Sequence, residues 1–527
     1  MNPLRNFLAL LLFCTLCLSA SAQTIRGKPP GELRKVMADA LAAGKRVTGL
    51  QPRIEQNKVV FDVTLAPNPD KTEWLALLNL TPQQFAQAKA RYAGDGFSVA
   101  VQSSITANNQ QFHSAVWMRT SVPVSTLVLP NDRLPISGAA VEQFKVVDEL
   151  MRTELKRMNA TGATLAIGKA GNVLYDRAFG WANIDPGKPM EPTTPMRIAD
   201  ISKTLTAVAV MKLVDSGKLK LDDRVIPMLK KARLRGFNRI SDTRWNAITI
   251  RHLLQHTAGW DASVAGDILF RSPLVAQELR LRSTAKQKDV VRYQLQRPLQ
   301  FDPGQQFKYS NFGYCLLGRI IEIAADEPYG SYVQKQILTP TKMEHTKRGR
   351  TRVSARPKSE AFYHMQREKR GTAFWSAAQA KIKRAGKTVD PPDIVRLPDG
   401  SFNLEVTDAS NGWTSTASDL VRFALATEST STPLLQPATR KEMLAPPQLK
   451  PKDDKKYYAG GWWVTEDKAG QRIWHGGAFA GSSAMLVREP DGVVWAVLFN
   501  TDAARSGKPL ASELEPKLRE KLKSVQW

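Results

Sequence analysis

Hydrophobic positions follow helical or strand spacing along most of the chain. Residues 139–158 repeat apolar side chains at helical intervals, which predicts an amphipathic helix. Its core-facing positions would be Phe144, Val147, Met151, Leu155 and Met158. Residues 163–168 and 173–176 then read as two strands on either side of Gly171 and Asn172. A glycine and an asparagine between two apolar runs indicate a tight hairpin.

After the predicted hairpin the chain first has helical spacing, and toward its end it returns to strand spacing. Helices are predicted over residues 204–216, after Thr249, over 311–325 and from Ser418. Strands are predicted near residues 461–465, 472–474, 483–488 and 493–499, followed by a closing helix over 509–523. Hairpins at both ends with helices between them predict one antiparallel sheet, joined across a helical insertion and flanked by helices.

The first part of the chain, residues 23–130, has a different pattern and predicts a small α/β module. A helix is expected over residues 33–43 and a strand over 59–65. A second helix is expected over 80–92, because Thr81 can cap it and Pro82 suits its first position. Paired strands should then flank the polar turn at Asn108 and Asn109. Residues 122–137 contain three prolines, which is typical of a connector.

Residues 1–22 have the layout of a secretory signal peptide. Arg5 gives a positive start, residues 7–18 are apolar, and Ala20-Ser21-Ala22 resembles a cleavage site. The apolar run is too short to span a bilayer comfortably. We therefore expect an exported protein, periplasmic or secreted, with no membrane span after cleavage.

The charge is strongly basic and unevenly distributed. The net charge is +26, and residues 342–387 contain 14 Lys or Arg against three Glu. We interpret residues 342–390 as a basic insertion in the second domain, which spans 138–527. It could dock an anion such as an acidic cell-wall polymer, or it could be a solvated loop. No nucleic-acid-binding module accompanies it, so no specific nucleic acid is expected.

Cofactor chemistry has no support in the sequence. Cys315 is the one cysteine left after signal cleavage, so no internal disulfide can form, and its apolar neighbours predict a buried residue. The six histidines are scattered, without metal-ligand spacing. A glycine-rich phosphate loop is also missing from the sequence. We expect no metal and no cofactor.

Four short motifs occur in a fixed order along residues 140–525. They are Asp200-Ile-Ser-Lys203, His256-Thr-Ala-Gly259, Tyr309-Ser-Asn311 and His475-Gly-Gly477. Taken singly, each has an ordinary structural explanation: a helix start, a structural turn histidine, or turn glycines. Together they closely resemble the β-lactamase-related serine hydrolases, which include class C β-lactamases, D-Ala-D-Ala carboxypeptidases and esterases. The resemblance implies an α/β fold of the α+β type, the β-lactamase and penicillin-binding transpeptidase-like fold with a helical subdomain.

The same resemblance implies roles for individual residues. Lys203 matches the general-base lysine and Tyr309 the tyrosine that transfers the proton to the leaving group. Asn311 matches the amide partner of that tyrosine. His475 and Gly477 match the Lys/His-x-Gly strand that binds the substrate's carboxylate. The small α/β module is similar to the short repeats that precede the hydrolase domain in polyglycine-hydrolase-like proteins, and the segment ending near residue 65 could be a degenerate copy.

The nucleophile position holds Asp200 instead of serine. A carboxylate that attacked an ester or amide would form a mixed anhydride, which is an uphill product. Beside Lys203 at a helix start, its pKa should fall, and the ion pair should occupy the lysine. Ser202 is two positions further along a helix and should point elsewhere.

Three hypotheses follow for the function. In the first, the cleft has lost acyl-serine chemistry and binds a small-molecule or peptide ligand. In the second, Asp200 and Tyr309 activate a water molecule, so that the protein is an active esterase, peptidase or β-lactamase-like hydrolase. In the third, the protein is a scaffold that binds a cell-wall polymer or another anion.

Overall fold

The computed structural model describes most of the chain. The described residues are 22–69, 72, 74–94, 97–119, 134–185, 187–231, 240–366, 369–375, 394–429, 433–449, 455–504 and 506–527. The chain folds into two compact units, Met1–Val128 and Leu129–Trp527. The predicted signal peptide lies outside the described residues except for Ala22, as does most of the predicted connector.

The first unit consists of two copies of one strand–helix–strand–strand motif. The first copy comprises Gln23–Lys28, Pro30–Ala42, Lys45–Glu55 and Lys58–Pro67. The second comprises Trp74–Leu80, Pro82–Gly94, Phe97–Ala107 and Gln110–Arg119. The helices have 13 residues in both copies, and the last two strands have 11 and 10. Each copy forms its own three-stranded antiparallel sheet.

Matching turns support the duplication. The hairpin of the first copy turns through Gln56 and Asn57, and that of the second through Asn108 and Asn109. All four residues have φ between 47° and 58°, the left-handed conformation that asparagine tolerates better than most side chains. The early copy is therefore complete. The sequence pattern missed two of its strands and one strand of the second copy, because none of these three segments has a clear alternation of apolar and polar positions.

Nine strands of the described chain form the main sheet of the second unit. In chain order they are Ile136–Ser137, Gly162–Lys169, Asn172–Asn183, Lys188–Pro189, Lys456–Tyr458, Trp463–Asp467, Gly470–Phe479, Ser482–Arg488 and Val494–Phe499. Every pairing is antiparallel, and Gly162–Lys169 pairs with Val494–Phe499. The early hairpin and the late strands thus join as predicted, but the hairpin turns through Ala170 and Gly171, one residue earlier than expected.

Helices cover the sheet and form the subdomain between its two halves. In the part of this unit that the structure describes, the α-helices are Lys145–Met158, Ser202–Asp215, Val225–Lys231, Ile250–Leu254, Ala262–Ala265, Ser272–Glu278, Gln287–Leu295, Asn311–Ala325, Tyr329–Val333, Asp408–Asn411, Ala417–Glu428, Pro437–Leu444 and Leu510–Leu522. Short 3-10 turns are Glu142–Phe144, Ala199–Ile201, Thr243–Ala247, Ile268–Arg271, Val353–Ala355 and Leu397–Asp399, and Gln334–Leu338 is a π-helix. No helix in these described ranges is long and apolar enough to cross a bilayer.

Two apolar cores hold these layers together. The amphipathic helix Lys145–Met158 and the closing helix Leu510–Leu522 cover one face of the sheet. The other face packs on Ala417–Glu428 and on the helical subdomain. Ser202–Asp215 is buried on almost all sides there, so the residues at its start are held rigidly.

The basic stretch is folded where the structure describes it. Lys347–Arg348 is a short strand that pairs with Trp413–Ser415, and Arg370–Thr372 pairs with Ile394–Arg396. Arg356 forms an ion pair with Asp399 at 2.9 Å. This part is therefore not a simple solvated loop, and residues 376–393 lie outside the described residues.

Candidate active site

A strained turn presents Asp200 at the start of the buried helix Ser202–Asp215. Ala199, the residue before it, has φ +44°, which costs roughly 1–2 kcal/mol for a residue with a Cβ. Asp200 lies in the 3-10 turn Ala199–Ile201, and Lys203 follows one turn later. The sequence spacing therefore places both side chains on one face, as predicted.

Lys203 is fully buried, at 0% exposure, and its ammonium has three hydrogen-bond acceptors. Nζ donates to Asp200 Oδ1 and to Asn311 Oδ1, both at 2.6 Å, and to the carbonyl oxygen of Ser410 at 3.3 Å. Burial lowers the pKa of Lys203, and the Asp200 carboxylate opposes that shift. None of the acceptors is a hydroxyl, so the lysine is engaged with a carboxylate instead of an alcohol.

Asp200 receives all of its described hydrogen bonds on one oxygen. Its Oδ1 accepts from Lys203 Nζ at 2.6 Å, from Asn411 Nδ2 at 2.7 Å and from the Tyr309 hydroxyl at 3.2 Å. Burial raises the pKa of Asp200, but the Lys203 charge and the hydrogen bonds outweigh burial and hold its pKa below the usual range. The carboxylate is therefore ionised at neutral pH, as the sequence predicts.

Tyr309 keeps its proton in this arrangement. Burial and the neighbouring Asp200 carboxylate raise its pKa well above the usual range, because a phenolate would be desolvated beside a second negative charge. The Lys203 ammonium lies 4.8 Å from the centre of its ring. Tyr309 is thus a donor to Asp200 instead of a proton acceptor for a reacting group.

Asn311 is oriented by a carboxylate that sequence analysis did not single out. Its Nδ2 donates to Asp267 Oδ2 at 2.6 Å, so its Oδ1 faces Lys203. Burial raises the pKa of Asp267, opposed by the hydrogen bond from Asn311. Between Tyr309 and Asn311, Ser310 caps the helix Asn311–Ala325 by accepting from the Gly313 amide at 3.3 Å. The motif is therefore both a helix start and part of the site.

His256 packs against the loop that carries Tyr309 and has a structural role. It is buried in a left-handed turn with φ +57°. Its Nδ1 accepts a hydrogen bond from the Ser310 amide at 3.1 Å, and its ring lies 4.2 Å from that of Tyr309. Its predicted role as a structural turn histidine agrees with these contacts.

His475 is neutral and acts as an acceptor toward the site. Its Nδ1 lies 2.6 Å from the Gly476 carbonyl oxygen and must donate to it, so Nε2 of the neutral ring carries a lone pair. Nε2 lies 3.1 Å from the Tyr458 hydroxyl and 3.4 Å from that of Tyr309. Burial lowers the pKa of His475 to about 4, and the charge on Lys203 adds to the effect.

Gly477 lies directly on the Asp200 turn. A Cβ at this position would be 2.2 Å from the Ile198 carbonyl oxygen and 3.0 Å from the Asp200 amide nitrogen. Any side chain would therefore push the strand away from the turn.

The strand Gly470–Phe479 pairs with Ser482–Arg488 along this segment, whereas Trp463–Asp467 pairs with it only as far as Trp474. In the described chain, residues 475–479 thus have no strand partner on one side, an edge to which an extended ligand could add.

Ser202 faces away from the cleft. Its hydroxyl accepts a hydrogen bond from the Trp413 amide at 3.2 Å, and the residue is fully buried. This agrees with the geometric prediction that a residue two positions after Asp200 points elsewhere. Ser410, whose carbonyl oxygen contacts Lys203, uses its hydroxyl for Thr407 and Asn411.

Three residues of the site were missed by sequence reasoning: Asn411, Tyr458 and Asp267. Asn411 precedes Gly412-Trp-Thr-Ser-Thr, a segment outside the four motifs. Asp267 and Tyr458 belong to no motif. A polar residue beside a turn was the one available signal, and it is too common to be specific. Within the described residues no cluster of His, Cys, Asp or Glu could hold a metal ion.

Comparison with known families identifies the second unit. A model described as Beta-lactamase matches residues 147–514. The chain belongs to the β-lactamase family. This match confirms the resemblance drawn from the four motifs.

The alignments with curated relatives of this β-lactamase family member cover only part of each relative's length. Protein flp of Staphylococcus aureus (strain MW2) is 28% identical over 385 residues, which are 71% of this chain and 65% of that protein. Esterase EstB of Burkholderia gladioli is 32% identical over 200 residues, 37% of this chain and 49% of that protein. The chain thus spans less than two thirds of these relatives.

Solved structures confirm the β-lactamase and penicillin-binding fold. The D-amino acid amidase from Ochrobactrum anthropi SV3, complexed with D-phenylalanine, has a TM-score of 0.55 and 19% identity, covering 73% of this chain and 99% of that one. The penicillin-binding protein from Bacillus halodurans has a TM-score of 0.53 and 20% identity, covering 70% and 99%. At these identities the likeness concerns the fold.

Proposed function

We propose that this protein is a ligand-binding member of the β-lactamase family that forms no acyl-serine. The observation that carries the proposal is the hydrogen bonding of Asp200. Its Oδ1 accepts from Lys203 and Tyr309, the residues that match the family's base and proton-transfer groups. A carboxylate held in this way is a poor nucleophile, because its pKa is lowered and its acyl product would be an anhydride.

The neighbouring hydroxyl groups do not restore the missing nucleophile. Ser202 Oγ is bonded to the Trp413 amide, and Ser410 Oγ is bonded to Thr407 and Asn411. Activation of a serine requires a base within hydrogen-bond reach. Lys203 Nζ instead contacts Asp200, Asn311 and a backbone carbonyl.

The cleft around Asp200 keeps the features of a binding site. A strand edge at residues 475–479 has no partner on one side in the described chain, so its backbone groups can pair with a ligand. Asp200 itself is 24% exposed. Gly477 allows close approach of the strand to the turn that carries Asp200.

A labelling experiment tests the proposal directly. Purified protein is incubated with a fluorescent penicillin and with a chromogenic ester, and covalent adducts are measured by intact mass. We expect no adduct and no ester turnover above the Asp200→Ala variant. An acyl adduct on any residue of the cleft would overturn the proposal.

A second candidate function is direct hydrolysis by a water molecule that Asp200 activates. It is favoured by the exposed part of the Asp200 carboxylate, whose Oδ2 accepts no hydrogen bond from the described residues. Its weakness is the lowered pKa, which makes the carboxylate a weak base. Single-turnover assays on esters, D-aminoacyl peptides and lactams test it, and turnover that disappears in Asp200→Ala without any adduct would establish it.

Export and binding to a cell-wall polymer remain proposals that follow from the sequence. The signal-like segment supports the first, and the net charge of +26 supports the second. Sedimentation with peptidoglycan sacculi, comparing the full chain with a variant lacking residues 376–393, tests the second. Unchanged sedimentation would show that this part of the basic stretch is not the docking site.

A further inference from the structure

The titratable side chains that surround Lys203 present a negative charge to the cleft. Asp200 and Asp267 face a single ammonium, that of Lys203. Lys203 is 0% exposed and already bonded to three acceptors, so a ligand cannot contact its charge. His475 is neutral. Of these four residues, Asp200 is therefore the one whose charge a ligand can contact, since its side chain is 24% exposed.

Asp200 also has free capacity to accept hydrogen bonds. An ionised carboxylate offers about four lone-pair sites on two oxygens. Lys203, Tyr309 and Asn411 all donate to Oδ1. No residue in the described part of the chain donates to Oδ2, so this oxygen is suited to a donor group of a ligand.

Aromatic side chains continue the strand face on which Gly477 meets the Asp200 turn. Phe479 is two residues after Gly477 on the same strand, and alternate residues of a strand share a face. Its ring stacks on Phe402 at 4.9 Å and meets Phe270 at 5.9 Å. Phe270 and Phe479 are partly exposed, which provides an apolar surface for a ligand.

We propose that the cleft binds a primary amine that carries an apolar group, with the ammonium on Asp200 Oδ2 and the apolar group against Phe270 and Phe479. This inference rests on the proposed function, in which the cleft binds a ligand without acylation. Ammonium–carboxylate hydrogen bonds are stronger than neutral ones. The preference is the opposite of the carboxylate binding that the family resemblance implies for the His475 strand.

Isothermal titration calorimetry on the full-length protein tests the charge preference with three probes of similar size. They are 2-phenylethylamine, 2-phenylethanol and 3-phenylpropionate, which differ mainly in the charge of the end group. We expect the amine to bind with a Kd at least about tenfold lower than that of the alcohol. The carboxylate should bind more weakly than both, because Asp200 repels it.

Two variants show whether Asp200 causes the tighter binding of the amine. Asp200→Asn keeps the shape but removes the charge, so the amine should lose its advantage over the alcohol. Asp302→Asn, which removes a carboxylate that is 64% exposed, should keep that advantage. If Asp200→Asn does not fold, raising the salt concentration with wild-type protein gives the same information, since only the amine should lose affinity.

The outcomes separate this inference from the proposed function. Equal or tighter binding of the alcohol or the carboxylate overturns the amine preference, as does no binding of any probe. An amine advantage that survives in Asp200→Asn, or one that salt leaves unchanged, overturns it as well. The proposed function, in contrast, is tested by acyl adducts and ester turnover, which do not depend on how the three probes bind.

Discussion

The Lys203 ammonium and the Asp200 carboxylate lie 2.6 Å apart at the start of one buried helix. In an acylating site of this design, a lysine one turn after the nucleophile serves a hydroxyl group. Here the lysine is paired with a permanent negative charge, and Asn411 and Tyr309 add two more hydrogen bonds to the same oxygen. The arrangement of these side chains is thus stabilised as an ion pair.

Replacing Asp200 with serine should create an acylating protein. The serine hydroxyl would stand where Lys203 and Tyr309 can reach it, so covalent labelling by a fluorescent penicillin or a reactive ester should appear. Intact-mass spectrometry measures the adduct. Asp200→Ala and the double variant Asp200→Ser, Lys203→Ala serve as controls and should remain unlabelled. An Asp200→Ser variant that unfolds at the wild-type urea concentration but remains unlabelled would show that the remaining groups are not positioned for acylation.

Removing the lysine should destabilise the fold. Lys203→Met leaves Asp200 without its cation and leaves two buried acceptors without a donor, so we expect a loss of about 3 kcal/mol in the free energy of unfolding. Urea denaturation measures it. Lys212→Met, on the same helix but only partly buried, should cost less than about 1 kcal/mol. The double variant Asp200→Asn, Lys203→Met should recover part of the loss, and strict additivity would contradict the pairing.

Stability should decrease between pH 7.5 and pH 5, partly because of His475. Its pKa is 6.5 in the unfolded chain and about 4 in the fold, so in this window the unfolded state binds a proton that the fold excludes. The stabilisation is complete above pH 6.5 and is lost as the pH falls toward 4. At pH 5 the loss should be about 2 kcal/mol.

The variant His475→Gln isolates this contribution from those of His256 and His364, whose pKa values burial also lowers. Urea denaturation at both pH values should show a decrease that is smaller in the variant by about 2 kcal/mol. An identical pH dependence in the two proteins would mean that His475 is protonated equally in both states.

Adjacent glycines on one strand provide a matched test of the close approach at Asp200. Gly477→Ala should destabilise the protein by about 1–3 kcal/mol, because the new Cβ would meet the Ile198 carbonyl at 2.2 Å. In Gly476→Ala the nearest atom is the end of Met485 at 3.6 Å, an ordinary contact. Thermal unfolding of both variants measures the difference. Equal melting temperatures would contradict the close packing of strand and turn.

Much of the site could be predicted from sequence spacing. A lysine three residues after an acid on a helix must share its face, so the Asp200–Lys203 pair followed from the helical repeat. The family resemblance carried by the four motifs implied that Tyr309, Asn311, His475 and the Asp200 turn come together. Hydrophobic spacing likewise predicted that early and late strands form one sheet.

Other features depend on contacts between residues distant in sequence. Asn411 meets Asp200 across 211 positions, and no local pattern marks it. The neutral state of His475 depends on burial and on its contacts with Gly476 and Tyr458, which hydrophobic periodicity does not report.

The sequence by itself determined which chemical groups the cleft contains, because residue types and local spacing are written in the chain. Only the tertiary structure decided how those groups share protons and charge, because hydrogen bonding and burial depend on which distant segments pack together. The acid at position 200 is evident from the sequence, whereas the three hydrogen bonds that converge on its Oδ1 appear only when the helix, the loops and the strand are assembled.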